Sequence, residues 1–295
     1  MEYQGIIVIR KEKGYTSHDV VAKLRGILHM KKIGHTGTLD PQAEGVLPVA
    51  LGKATRLVDM LTDKEKTYEA VLRLGIVTDT QDMTGTVLEE RTVTAREDEV
   101  REVLKSFQGE QMQVPPMYSA LKVDGKRLYE LARQGQVVER QARPVCFYEI
   151  EPLEICLPLV RFRVTCSKGT YIRTLCHDIG QKLGCGGCME SLLRTRVGRF
   201  SLQESHTLAR IQEAAAEGRL GEYILPIEEV LGEYPRLLCT PQGDRLLLNG
   251  NPLPEEMIQG GQLRGWVRMC TSSGAFIGIY QWDDRKERYA PVKIL

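Results

Sequence analysis

Residues 34–57 read GHTGTLDPQAEGVLPVALGKATRL, and the first half of that stretch suits no regular element. Three glycines, a histidine, two threonines, two prolines and two carboxylates share positions 34–48. Glycine reaches backbone conformations that other residues avoid. Pro41 disfavours α geometry at Asp40, the residue before it. Asp40 is therefore expected on a loop of defined shape, held by Gly34, Gly37 and Gly45. It is either a turn former or a carboxylate presented for chemistry, and these residues alone leave both readings open. His35 likewise reads as a hydrogen-bonded structural histidine or as a site residue. The stretch lacks the GK[ST] ending of a phosphate-binding loop and is not GxGxxG. The chain has no GxSxG elbow, which leaves a serine-nucleophile reading weak.

Regular elements flank this loop. GIIVI (5–9) predicts a short buried strand, and Thr16 or Ser17 can cap a helix through HDVVAKLRGIL. KTYEAVLRL (66–74) alternates, with Tyr68, Ala70, Leu72 and Leu74 on one face. TDTQDMTGT (78–86) is turn-like. Thr94 is the expected cap of a helix whose stripe is Val100, Val103, Leu104 and Phe107, closed by Gly109. QVPPMYSALK (113–122) begins as an extended loop. LVRFRVTCS (159–167) alternates again, RTLCHDIGQKLG (173–184) predicts a helix closing on Gly184, and 203–219 predicts another. The fold class is α+β around a mixed or antiparallel central sheet flanked by helices. From about residue 233 the texture turns to Gly, Pro and short apolar runs such as GAFIGIYQW, which predicts a small all-β module. The expected domains are 1–232 and 233–295.

Composition narrows the partners. A net charge of +1 gives no support to a nucleic-acid binder and excludes none, because a local basic face can coexist with an acidic back. No run of eighteen apolar residues marks a membrane span. The start, MEYQGIIVIRKEKGYTS, does not read as a signal peptide, so a cytoplasmic location is expected. Eight cysteines are then expected as free thiols. Cys185 and Cys188 form one CxxC with no second pair, which predicts thiols beside a glycine turn and no metal.

The combination is more specific than its parts. GHTGTLDPQAEGVLPVALGKATRL closely resembles the signature of the TruB family of pseudouridine synthases, which isomerise a uridine in the T-loop of transfer RNA, at position 55. KTYEAVLRLGIVTDTQD (66–82), VPPMYSALKVDGKRLYELAR (114–133) and SKGTYIRTLCHDIGQKLGCGG (167–187) resemble further family blocks in the expected order. The C-terminal module is similar to the PUA-like domain that often follows in bacterial members. The resemblance implies a pseudouridine-synthase fold, with Asp40 as the catalytic aspartate, Tyr68 stacking on the target base and Arg173 pairing with the Asp40 carboxylate. It implies Leu192 as an apolar wall, His35 near the flipped-out nucleotide, and Lys11 and Tyr171 as substrate-binding residues. This chain departs from the family pattern at Glu12, where a proline is usual, at Cys188, usually histidine, and at Leu193, the first of two usual arginines; Arg194 keeps the second.

The implied reaction breaks the N1–C1′ bond, turns the uracil and re-forms a bond from C5. Nothing is oxidised and no group is added, so no cofactor or metal is expected. The base must leave the stack at a cost of a few kcal/mol, and stacking on an aromatic ring returns roughly 1–3 kcal/mol. Without the resemblance, Tyr68 reads as a core tyrosine and Arg173 as a surface arginine. A cation at a helix N-terminus opposes the dipole unless a carboxylate faces it. Lys31, Lys32, Lys53, Arg56, Lys64 and Lys66 are expected as a basic rim, against the plainer reading of a solvated face. The expected partner is the tRNA T-stem-loop, bound by a monomer with no obligatory protein partner and no membrane. A guide-RNA-dependent synthase of the dyskerin type and a non-catalytic tRNA-folding chaperone are the competing readings.

Overall fold

The computed structural model describes residues 3–123 and 125–295. Glu2, used in reading the N-terminus, and Asp124, inside the 114–133 block, lie outside them. From the N-terminus, β1 (Gly5–Lys11) leads through α1 (Ser17–Leu28) to β2 (Ile33–His35) and β3 (Glu44–Leu51). A 3-10 turn (Gly52–Leu57) and α2 (Val58–Thr62) precede β4 (Lys66–Leu74). The hairpin β5 (Ile76–Thr78) and β6 (Val87–Glu90) is followed by α3 (Glu97–Ser106) and β7 (Gly109–Gln113). A small hairpin, β8 (Lys122–Val123) and β9 (Lys126–Arg127), and α4 (Leu128–Arg133) lead to β10 (Arg143–Cys156) and β11 (Leu159–Cys166). Then come α5 (Ile172–Lys182), β12 (Gly187–Val197), β13 (Phe200–Ser201), α6 (Leu208–Ala216), β14 (Ile224–Leu225) and α7 (Ile227–Val230).

The central sheet has the order β14-β1-β3-β12-β4-β11-β10-β7, with β2 on β3 and β13 on β12. Its pairings are antiparallel except β3 with β12. The class is therefore α+β with a mixed sheet. β1 and β3 are near-continuous apolar runs because both their faces are covered. Ile7, Ile9, Leu47 and Val49 face α1 and α6, while Ile6, Val8, Val46 and Ala50 face Ala54, Leu57 and Met60. β4 is half-buried and alternates: Tyr68, Ala70, Leu72 and Leu74 enter the core beneath α3 and α5 with Val160, Phe162 and Val164 of β11.

Local signals decide most helix ends. Thr16 caps α1, accepting from the Asp19 N–H at 3.0 Å while the Asp19 carboxylate accepts from the Thr16 N–H at 2.8 Å; such a box stabilises by about 1 kcal/mol. Two expectations need correction. α3 starts after Arg96, not Thr94, because the Glu99 carboxylate accepts the Arg96 N–H at 2.8 Å. It ends at Ser106, and Gly109 opens β7 instead of closing the helix. The helix expected over 203–219 is only Leu208–Ala216: the His206 backbone is bonded to Val8 and Arg10 at the edge of β1, so the helix begins after Thr207.

The C-terminal part forms a separate 6-stranded sheet of β15 (Arg236–Cys239), β16 (Leu253–Pro254), β17 (Ile258–Gln259), β18 (Trp266–Cys270), β19 (Phe276–Asp283) and β20 (Arg288–Ile294). It is the expected β module, with one short helix, α8 (Asp244–Leu248), beside the strands. This sheet packs Phe276, Ile279 and Val292 against the Ala54–Leu61 segment. Ion pairs Lys64–Glu233 (2.6 Å) and Lys293–Asp59 (3.3 Å) lie at the same junction.

Candidate active site

The loop between β2 and β3 carries Asp40, and side chains from three other elements hold it. Lys11 is fully buried, and its ammonium donates to the carbonyls of Glu12 (3.0 Å), Tyr15 (2.6 Å) and Pro41 (3.2 Å). Ser17 brackets Leu39: its Oγ accepts the Leu39 N–H at 2.9 Å and donates to the Leu39 carbonyl at 3.3 Å. Arg194, 1% exposed, donates from Nε to Val46 and from its two Nη atoms to Thr38 and Gly37. Gly45 is obligatory because β3 meets β12 there: a Cβ would stand 2.1 Å from the Arg194 carbonyl oxygen. Gly34, by contrast, takes no left-handed conformation and pairs with Ala50 within β2.

Asp40 faces Arg173 from the first turn of α5. The Arg173 Nε lies 2.9 Å from Asp40 Oδ2, and Nη2 lies 3.3 Å from Oδ1, a two-point grip. The guanidinium is buried, with its side chain 6% exposed, whereas the Asp40 side chain is 36% exposed. The anchor is thus inside and the acid reaches out. Arg173 also donates to the carbonyls of Thr80 (3.3 Å) and Tyr118 (2.8 Å). A second carboxylate, Asp82, stands 3.9 Å from its Nε. Asp82 is held by the hydroxyls of Thr80 (2.8 Å) and Thr84 (2.5 Å) and the Thr84 N–H (2.9 Å). The Arg173 contacts join residues far apart in the chain, and nothing local in TDTQDMTGT announces them. A surface role for Arg173 is ruled out by this burial, and the two carboxylates supply the negative charge that its place at a helix N-terminus demands.

Tyr68 and Leu192 stand on neighbouring strands. Tyr68 pairs in register with Arg194, and Leu192 with Ala70. Both belong to one cluster with Leu39 and Ala43 of the loop. Burial pushes the Tyr68 phenol up to about 12. Tyr171 precedes α5, and the Gln113 side-chain amide bonds both its N–H (2.8 Å) and its carbonyl (3.0 Å). His35 closes β2 and its Nδ1 accepts the Gly37 N–H at 3.3 Å, which orders the loop; burial lowers its pKa. Among the described residues no hydrogen bond joins His35 to Asp40, Tyr68 or Arg173. Asp82, Ser17 and Gln113 are site-building residues that sequence reading passed over, and Arg194, named there only as a retained arginine of the family pattern, is another.

The expected basic rim is corrected at one position. Lys66 is buried and donates to the Thr62 and Lys64 carbonyls, both at 2.7 Å. Lys64 is paired with Glu233, and Arg56 donates to the Ile294 carbonyl at 3.0 Å. Lys31, Lys32 and Lys53 are exposed, but they adjoin the Leu51 end of β3, the end away from Asp40. Cys185 and Cys188 are buried free thiols, the latter 3.4 Å from the Met83 sulfur. Among the described residues no group of three metal-ligating side chains occurs, and no helix is long and apolar enough to cross a membrane.

The buried titratable groups predict an alkaline transition. Burial raises Cys166 and Cys239 to about 12 and Cys188 to about 11, from 9.0, and Tyr68 to about 12, from 10.0. Their contribution to stability is complete below about pH 9 and is lost as pH rises through the folded values. Burial lowers Lys11 and Lys66 from 10.5 to about 8, so the unfolded chain holds their extra protons between those values. That term raises stability with pH from about 8 to 10.5. The calorimetric midpoint of the reduced protein should hold or rise slightly from pH 8 to 9, then fall above about pH 10. A steady fall from pH 7.5 would contradict the buried lysines.

A model of the TruB family pseudouridylate synthase N-terminal domain matches residues 25–172, and one of the tRNA pseudouridylate synthase B C-terminal domain matches 173–232. The chain belongs to the TruB family of pseudouridylate synthases. It is similar over nearly its whole length to the tRNA pseudouridine synthase B of Lachnoclostridium phytofermentans, at 51% identity across 98% of this chain and 99% of that one. The Pseudomonas aeruginosa protein of that name is 42% identical, covering 99% and 95%. Among solved structures, an H/ACA RNP bound to a substrate RNA containing 2′-deoxyuridine includes a chain with TM-score 0.74 and 29% identity, covering 98% of this chain and 84% of that one. A Cbf5-Nop10-Gar1 complex gives 0.72 and 33%, covering 94% and 78%. A TruB-family chain is a pseudouridine synthase.

Proposed function

We propose that this chain isomerises one uridine in the T-loop of transfer RNA to pseudouridine, with Asp40 as the nucleophile. The observation that carries the reading is the Asp40 carboxylate gripped at two points by buried Arg173, beside Tyr68 and Leu192. Arg173 orients the carboxylate through its two-point grip. Tyr68 stacks on the flipped base, Leu192 walls the pocket, and Tyr171 and His35 line its approach. Lys11 supports the loop from beneath instead of touching substrate. Residues 1–232 form the catalytic domain and 233–295 a PUA-like module that contacts the RNA.

The curated relatives are named for tRNA at 42–51% identity, whereas the chains from H/ACA complexes stand at 29–33%. This favours action on bare tRNA by the single chain, without a guide RNA. The test is tritium release from an unmodified [5-³H]uridine-labelled tRNA transcript, with no guide, metal or cofactor added. Pseudouridine formation frees the hydrogen at C5, so about one tritium per transcript should appear, and none when cytidine replaces the target uridine. Binding without release would turn the assignment toward a guide-dependent enzyme or an RNA-folding chaperone.

A further inference from the structure

Arg194 looks at first like an RNA-binding arginine, being one of a pair in the family pattern. Its surroundings say otherwise. It is 1% exposed, and its hydrogen bonds run to carbonyl oxygens: Val46 at 2.8 Å, Thr38 and Gly37 each at 3.3 Å. Gly37 and Thr38 lie just before Asp40, and Val46 lies just after the loop has entered β3. One guanidinium therefore ties both feet of the loop. Its strand, β12, lies between β3 and β4 in the sheet, and Arg194 pairs in register with Gly45 on one side and Tyr68 on the other. The charge faces the Tyr68 hydroxyl and opposes the upward push that burial gives that phenol.

We propose that Arg194 is a positioning residue that sets the Asp40 loop against Tyr68 and makes no contact with RNA. The inference rests on the roles given above to Asp40 and Tyr68. The planar fork of arginine presents donors in fixed directions, which a lysine cannot reproduce from its single ammonium. The carboxylate comes from the loop before β3 and the aromatic ring from β4, and one group spans both. A misplacement of about 1 Å between reacting groups can lower a rate by about 100-fold.

The test uses Arg194→Lys in the full chain, with three readouts: unfolding midpoint, RNA dissociation constant across a salt series, and single-turnover rate at saturating RNA. The expected result is a rate about 100-fold lower in a folded variant, with RNA affinity within about threefold and an unchanged salt slope. A rate within threefold of wild type in that folded variant overturns the proposal. So does weakened binding with a salt slope reduced by about one, the mark of a phosphate contact. If the lysine variant does not fold, the wild-type protein decides: the Arg194 Nε–H, assigned through its neighbour Val46, should exchange with solvent at least tenfold more slowly than exposed arginines, with and without RNA. Exchange as fast as theirs overturns the proposal. Asp40→Asn, run alongside, separates the two layers. Turnover in that variant defeats the site reading itself, whereas an inactive Asp40→Asn beside a fully active Arg194→Lys defeats only this inference.

Discussion

Asp40→Asn should abolish tritium release while the protein remains folded and binds its RNA. An amide cannot replace a carboxylate nucleophile, and loss of such a group costs about 10⁴-fold or more in rate. The fold should tolerate the change because the Asp40 side chain is 36% exposed and its neighbours are held independently. Lys11, Ser17 and Arg194 bind the loop through backbone groups of residues 37–41 and 46, none of which the substitution alters. The asparagine oxygen can still accept from Arg173, and Asp82 still balances the guanidinium charge. A loss of about 1 kcal/mol is expected, equivalent to roughly 2–4 °C in the unfolding midpoint. Filter binding and a thermal melt check both halves. Turnover above about 1% of wild type would remove Asp40 from the nucleophile role.

Arg173→Ala should behave quite differently, because Arg173 is a structural hub as well as the partner of the acid. Its removal strands the Asp40 carboxylate, deprives Asp82 of its nearest cation and orphans the Thr80 and Tyr118 carbonyls. Breaking a buried pair by deleting one partner costs about 3–5 kcal/mol. Urea unfolding should report a loss of that size together with inactivity. Arg173→Lys keeps the charge and loses the two-point grip. It should remain folded, with turnover lowered about 100-fold through misorientation of the carboxylate. Equal activity in Arg173→Lys and wild type would show that charge alone suffices. A stable, active Arg173→Ala would show that Asp40 needs no partner.

The candidate site was legible where the residue type is unusual for its surroundings. Asp40 stands in a glycine- and proline-shaped loop, Arg173 at a helix start where a cation is unwelcome, and Tyr68 on a clean alternation. Each invites a question from sequence alone, and the resemblance to the family implies the role proposed for it. Lys66 and Arg194 carry no such mark, since a basic residue in a polar run reads as solvated until burial is known. One member of the expected basic rim failed for that reason: Lys66 is buried and donates to the Thr62 and Lys64 carbonyls. The 203–219 helix failed differently. Its residues favour a helix, but the edge of β1 claims the His206 backbone first.

By itself the sequence determined the local elements and the membership of the family. Periodicity, caps and turn residues act over a few positions, so β1, α1, β4, β11 and α5 could be read directly. Tertiary structure alone decided what surrounds Asp40. Arg173 lies 133 positions from it in the chain, and Arg194 lies 148 from Val46. Such contacts arise only when β12 settles between β3 and β4 and brings three distant strands into register. Local propensity carries no information about that pairing. It is the burial of the strands' apolar faces in a common core that selects it.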